Sequence, residues 1–135
     1  MPKIKRIDHI AVAVESIEKT LAFWRDALGM EVKRVGEVPE ERAIVAFLSA
    51  GGSEIELVEP TADDTGLGRF LRKQGPGLHH LCLEVDEIEE MIDQLKGKGI
   101  QLINDKPLFG ADGRKYAFVH PKSTHGVLVE LYELP

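Results

Sequence analysis

The chain contains a single cysteine, Cys82, so no disulfide can form within it, and a lone thiol fits a reducing compartment. It has no apolar run approaching the ~18 residues that a membrane-spanning helix needs. Its first residues, Met1-Pro2-Lys3-Ile4-Lys5-Arg6, are not followed by the apolar core of a secretory signal, so a cytoplasmic protein without membrane partners is expected. Basic residues are outnumbered 17 to 23, for a net charge of −6. A nucleic-acid partner, which would want a basic face, is therefore not expected. A small anionic ligand stays open, because local lysines can hold one on an acidic protein.

What is present is a chain of 135 residues, 43% hydrophobic and 30% charged, the composition of one ordinary globular domain able to bury a core. It is organised around Gly77-Leu78-His79-His80-Leu81-Cys82-Leu83-Glu84-Val85-Asp86. Leu81, Leu83 and Val85 alternate with His80, Cys82 and Glu84, the pattern of a strand with one face on a core. The phrase has an echo near the N-terminus, Ile7-Asp8-His9-Ile10-Ala11-Val12-Ala13-Val14, in which His9 takes the place of His80. In the same way Glu56, within Ile55-Glu56-Leu57, takes the place of Glu130, within Val129-Glu130-Leu131. The interval between the glutamates is slightly longer than that between the histidines, a difference that loops absorb easily.

Read in order, each copy gives the same elements. After the first strand, Ser16 caps a helix whose apolar face is Ile17, Leu21, Trp24 and Leu28, and Gly29 ends it. Phe23 and Trp24 read as helix core. Strands follow at 30–35, 43–49 and 54–58, the last two joined by the turn Ala50-Gly51-Gly52-Ser53. The second copy has its helix on Ile88, Ile92 and Leu95, closed by Gly97 and Gly99, then strands at 100–103, 115–120 and 127–132. The expected fold is α+β: two tandem βαβββ modules, residues 4–60 and 77–134, joined by a packed linker 61–76 into one domain, residues 1–135, with one cupped mixed sheet around a metal site. Each module alone would be too small to be stable.

The duplication pairs His9 with His80 and Glu56 with Glu130, each histidine on a first strand and each glutamate on a last one. Strand parity puts His9 with the small Ala11 and Ala13, while Ile10, Val12 and Val14 face the helix. Glu130 lies with Leu128 and Tyr132. A carboxylate among apolar neighbours is costly unless it is paired or metal-bound. Two histidines and two glutamates suit Co²⁺, Ni²⁺, Mn²⁺, Fe²⁺ or Zn²⁺, with two positions left for water or substrate. A histidine or glutamate alone at a strand end is usually structural, but four in symmetric register are harder to explain that way. His79 matches Asp8 and points to the other face, so it reads as structural or supporting. His120 and His125 read as loop residues or substrate contacts rather than ligands, Glu54 as exposed, and Cys82 as a small cleft-wall residue, with a catalytic thiol the lesser alternative. The loop Phe109-Gly110-Ala111-Asp112-Gly113 reads as an ordinary turn rather than an anion site.

The chain resembles the vicinal oxygen chelate superfamily, and within it the methylmalonyl-CoA epimerases. The resemblance is carried by Asp8-His9-Ile10-Ala11-Val12, by Ile55-Glu56-Leu57 with Pro60, by Gly77-Leu78-His79-His80, and by Phe118-Val119-His120-Pro121-Lys122-Ser123 with Gly126-Val127-Leu128-Val129-Glu130-Leu131. It implies a divalent metal on His9, Glu56, His80 and Glu130, Co²⁺ first, with Ni²⁺, Mn²⁺, Zn²⁺ or Mg²⁺ as the others. It implies a CoA thioester substrate beside Lys106, Lys122 and Ser123, a homodimer, and epimerisation of (2R)- and (2S)-methylmalonyl-CoA through a metal-stabilised enolate. Glu130 is then the first candidate base, and Glu56 the second only if it can release the metal. Two departures from the pattern stand out. Some members carry a glutamate, proposed as a base, where this chain has Val45, and Asp112 interrupts a loop usually richer in glycine. The alternatives are glyoxalase I, which shares the metal residues but not the His-Pro-Lys-Ser segment, and a non-catalytic drug-binding resistance protein of the same fold, which has no need of four ligands.

Overall fold

A computed structural model describes residues 1–110 and 112–135; Ala111 of the glycine loop lies outside the described residues. The chain separates into two compact units, His9–His79 and Met1–Asp8 with His80–Pro135. Among the described residues no helix is long and apolar enough to cross a membrane.

In the first unit the strands are ordered β2 (Val32–Val38), β3 (Ala43–Ala50), β4 (Ser53–Pro60) and β1 (Ile4–Ala13, from His9 onward). β1 runs parallel to β4, with Ala11 opposite Glu56, and the other pairs are antiparallel. The tight β3–β4 hairpin is made by Gly51 at φ 67°, a conformation open to glycine at no steric cost. α1 (Ile17–Leu21) starts where the sequence places it: the Ser16 side chain accepts from Lys19 N at 3.2 Å. A second cap comes from further off, the Glu59 carboxylate accepting from Ile17 N at 2.8 Å. After Leu21 the chain widens into a π-helical turn, Ala22–Ala27, that shifts the side-chain register. Trp24 still packs on Val14, Ile17, Leu21, Leu48 and Leu57, but Phe23 and Leu28 are 54% and 55% exposed rather than core.

The opposite face of β1, β3 and β4 offers Ala13, Val45 and Val58, covered by Leu67, Phe70 and Leu71 of α2 (Gly66–Gln74). Thr65 caps α2 by accepting from Gly68 N at 3.0 Å, and Gly75 ends it at φ 79°. An Ala at Gly68 would place its Cβ 2.6 Å from the Asp63 carbonyl oxygen. Glycine to alanine inside a helix normally stabilises by about 1 kcal/mol; here the backbone clash should win. Gly68→Ala is expected to destabilise by about 1–3 kcal/mol in urea unfolding.

The second unit repeats the plan. β5 (Gly77–Val85, from His80 onward) pairs in parallel with β8 (Val129–Glu133), and β8 pairs antiparallel with β7 (Lys115–Val119). α3 (Ile88–Gly97) seats Ile88, Met91 and Ile92 against Val85, Ala117, Val119 and Leu131. Its start is held by Glu133, accepting from Ile88 N at 2.7 Å, the counterpart of Glu59 at the start of α1. The strand expected at 100–103 is reduced to one bridge, Leu102 to Val119, because Asn104 Oδ1 takes the Phe118 N–H (2.8 Å) that a longer strand would need. The edge is instead β6 (Leu108–Phe109), paired with Tyr116 and Lys115.

Candidate metal centre

In the first unit β1 delivers His9 and β4 delivers Glu56, and the two adjacent strands bring His9 Nε2 to 3.2 Å from Glu56 Oε1. Phe47, opposite Glu56 on β3, meets the His9 ring edge-on at 5.9 Å and fixes its plane. In the second unit β5 delivers His80 and β8 delivers Glu130, again with Nε2 and Oε1 3.2 Å apart. Phe118, opposite Glu130 on β7, meets the His80 ring edge-on at 5.6 Å. The residue beside the glutamate on the histidine strand is small and wholly buried in both units, Ala11 opposite Glu56 and Cys82 opposite Glu130. The repeat visible in the sequence is thus a repeat of geometry, down to the aromatic that orients each imidazole. Reading the sequence missed those two phenylalanines, although the interval between them is the same as that between the histidines.

The donor set fits a divalent cation. The four side chains keep only 7–11% of their surface exposed, so their polar atoms need partners other than bulk water. Two donors about 2.1 Å from one ion lie about 3.0 Å apart at a right angle and about 3.4 Å apart at the tetrahedral angle. Each imidazole–carboxylate pair, at 3.2 Å, falls between. Mixed nitrogen and oxygen donors suit the later first-row ions over calcium or magnesium.

The residues expected near substrate lie in the second unit. Lys122 and Ser123 share a 3₁₀ turn, Pro121–Ser123, in which Lys122 N donates to His120 Nδ1 at 3.0 Å. Ser123 Oγ accepts from Gln101 N at 2.9 Å, and the Lys122 side chain is exposed. Lys106 is exposed in the segment between α3 and β6, outside that turn. Of the other histidines, His79 packs edge-on against Phe70 at 4.9 Å, and His125 sits exposed at φ 61°. Glu54 is not a free surface group: it is half-buried and ion-paired with Arg34 through two contacts of 3.2 Å.

Two further groups of the second unit are buried, and their partners come from elsewhere in the sequence. Glu84, 4% exposed, accepts from Arg6 Nε at 2.8 Å and lies 3.4 Å from Lys5 Nζ, while Arg6 also reaches Asp8 at 2.8 Å. Two cations satisfy this carboxylate, which makes it a structural ion pair. Tyr132 is buried with the Arg114 guanidinium 4.7 Å from its ring centre, and burial pushes its phenol above the ordinary value.

Comparison with known proteins bears on both the fold and the site. Residues 8–118 match the family model of the glyoxalase/bleomycin resistance protein/dioxygenase superfamily. The chain is 42% identical over 130 residues to a mitochondrial methylmalonyl-CoA epimerase of Mus musculus, covering 96% of this chain and 73% of that protein. It is 35% identical over 133 residues to an ethylmalonyl-CoA/methylmalonyl-CoA epimerase of Cereibacter sphaeroides, covering 97% and 99%. A solved methylmalonyl-CoA epimerase in complex with methylmalonyl-CoA and NH₄⁺ superimposes with a TM-score of 0.90 at 33% identity, over 97% of this chain and 95% of that one.

Proposed function

The chain belongs to the glyoxalase/bleomycin resistance protein/dioxygenase superfamily, and from that premise we propose that it is a metal-dependent epimerase interconverting (2R)- and (2S)-methylmalonyl-CoA. The observation that carries this reading is the pair of buried imidazole–carboxylate contacts at 3.2 Å, one per unit, in the same strand positions. We take His9, Glu56, His80 and Glu130 as four ligands of one divalent ion, Co²⁺ first. Relatives that bear the epimerase name along almost the whole chain support the substrate.

The reaction removes the proton between a thioester and a carboxylate and returns it on the other face. Its obstacle is negative charge building up on the enolate beside a carboxylate that is already charged. When bound, a divalent ion supplies a Lewis acid for the thioester and carboxylate oxygens. The protein's own part is to hold the C2–H bond between two proton carriers and to keep water from the carbanion. Glu130 takes the proton on one face, and Glu56 is the carrier on the other. Each such transfer contributes about 10²–10⁴-fold. Lys106, Lys122 and Ser123 are assigned to the CoA side of the substrate, where exposed cations suit phosphates. The working protein is a cytoplasmic homodimer in this reading.

The test is proton NMR of methylmalonyl-CoA in D₂O with metal-stripped protein, before and after Co²⁺. The C2 proton should persist without metal and disappear with it, and a stereospecific mutase should then consume both enantiomers. No exchange with any divalent ion, together with turnover of the methylglyoxal–glutathione hemithioacetal, would move the assignment to glyoxalase I.

A further inference from the structure

β4 presents two carboxylates, Glu54 and Glu56, on one face, because side chains two apart on a strand share a face. The backbone register puts Glu54 nearer to His9. In the parallel β1–β4 pairing Glu54 stands directly opposite His9, across one strand spacing of about 4.8 Å. Glu56 stands opposite Ala11, two residues or about 6.6 Å further along. Yet it is Glu56 that the imidazole meets, with Nε2 3.2 Å from Oε1. Something must hold Glu54 away.

That group is Arg34. Its guanidinium grips the Glu54 carboxylate through two contacts of 3.2 Å, Nη1 to Oε2 and Nη2 to Oε1. It is anchored in turn on Phe47, with the guanidinium carbon 4.0 Å from the ring centre. Arg34 belongs to β2, which lies on the far side of β4 from β1, so the clamp draws the Glu54 head away from His9. A bulge puts the arginine there. Val32 stands opposite Leu48 and Arg34 opposite Phe47, so Lys33 is an extra residue in β2, and bulges re-aim the side chains beside them. In an unbroken ladder Lys33 would stand opposite Phe47, and an ammonium, a point charge, cannot take a carboxylate with a planar fork.

The second unit has no such choice to make. Leu128 comes two residues before Glu130, where Glu54 comes two residues before Glu56, so no second carboxylate competes at that position. The clamp occurs in the unit whose strand carries two acids.

We infer that Arg34 is a positioning residue that selects the metal ligand on β4: by holding Glu54 it leaves Glu56 as the carboxylate that joins His9. This rests on the metal centre proposed above and adds to it the residue that decides between two acids. A half-buried carboxylate that loses its cation needs another. A cation on His9 is the charge that the position of Glu54 on β4 faces.

The experiment is calorimetric titration of metal-stripped protein with Co²⁺, which makes no use of activity. It compares the wild-type protein with Glu56→Ala, with Arg34→Met/Glu56→Ala, and with Arg34→Met/Glu54→Ala/Glu56→Ala. Glu56→Ala leaves no ligating oxygen at its position and should weaken Co²⁺ binding about 100-fold. Adding Arg34→Met should recover about tenfold of that loss, because the released Glu54 takes the place of Glu56. Adding Glu54→Ala should abolish the recovery. A merely structural role for Arg34 has the opposite sign, a further loss on top of that from Glu56→Ala. Methionine still covers Phe47, and a half-exposed ion pair contributes little to stability, so the variants should fold. An Arg34→Met/Glu56→Ala protein that binds Co²⁺ no more tightly than Glu56→Ala would overturn the selection and leave the metal centre standing. So would a recovery that survives Glu54→Ala. Wild-type affinity in Glu56→Ala would remove Glu56 as a ligand, and a wild-type protein that binds no Co²⁺ would bring down the metal centre; the selection falls with either.

Discussion

Glu130→Gln, assayed at saturating Co²⁺, is expected to lower epimerisation about 10²–10⁴-fold, the loss of one general base. Glutamine keeps an oxygen that can ligate and nearly the same volume, so Cys82 opposite it and the Phe118–His80 contact need not move. The loss should divide by stereochemistry. With one carrier gone, the enantiomer whose proton faces Glu130 stops exchanging with D₂O. The other enantiomer still exchanges against Glu56 but with retention, so exchange and inversion come apart. Glu56→Gln should give the mirror result. Following C2–H loss from each enantiomer separately checks this. A Glu130→Gln protein that keeps its metal and interconverts the enantiomers at full rate would remove Glu130 from the chemistry.

That such an experiment can be designed owes much to what the chain displays before folding. The repeat of His9 in His80 and of Glu56 in Glu130 is a pattern of side chains on alternate strand faces, and alternation survives folding because the period of a strand is fixed by its backbone. The same logic reached Ser16 and Gly29, whose roles are local. It stopped where a role depends on distant partners. Glu59 and Glu133 look like solvated acids in the sequence, yet each caps the helix of its own unit from the far end of a sheet strand. They are separated by the same interval as Glu56 and Glu130, so the signal was there without a reason to read it. Glu84 is the opposite case. Its burial depends on Arg6, which comes to it from the other end of the sequence, and no local pattern announces that. Phe23 and Leu28 fell out of the expected core because a π-helical turn breaks the 3.6-residue period on which the face was counted.

Removing a single histidine should test the four-ligand reading without reference to activity. Calorimetric titration of the metal-stripped wild-type protein with Co²⁺ is expected to give one ion per chain, and His9→Ala and His80→Ala should weaken binding to similar extents. Losing a group that merely supports a ligand costs about 10–100-fold in metal affinity, and loss of a direct ligand should cost at least as much. Wild-type protein at a hundred times its Kd should gain about 2.7 kcal/mol of stability, and each variant should lose most of that gain at the same Co²⁺ concentration. The symmetry of the loss is what matters. Each unit holds its own imidazole and carboxylate 3.2 Å apart, a geometry that could serve two weak two-ligand sites as well as one strong shared one. Two ions per chain, or a His80→Ala protein that binds Co²⁺ as tightly as wild type while His9→Ala does not, would refute the shared centre. One ion, lost equally from either side, requires both halves of the repeat at once. Such a requirement would also explain why the duplicated chain keeps a histidine and a glutamate in each half.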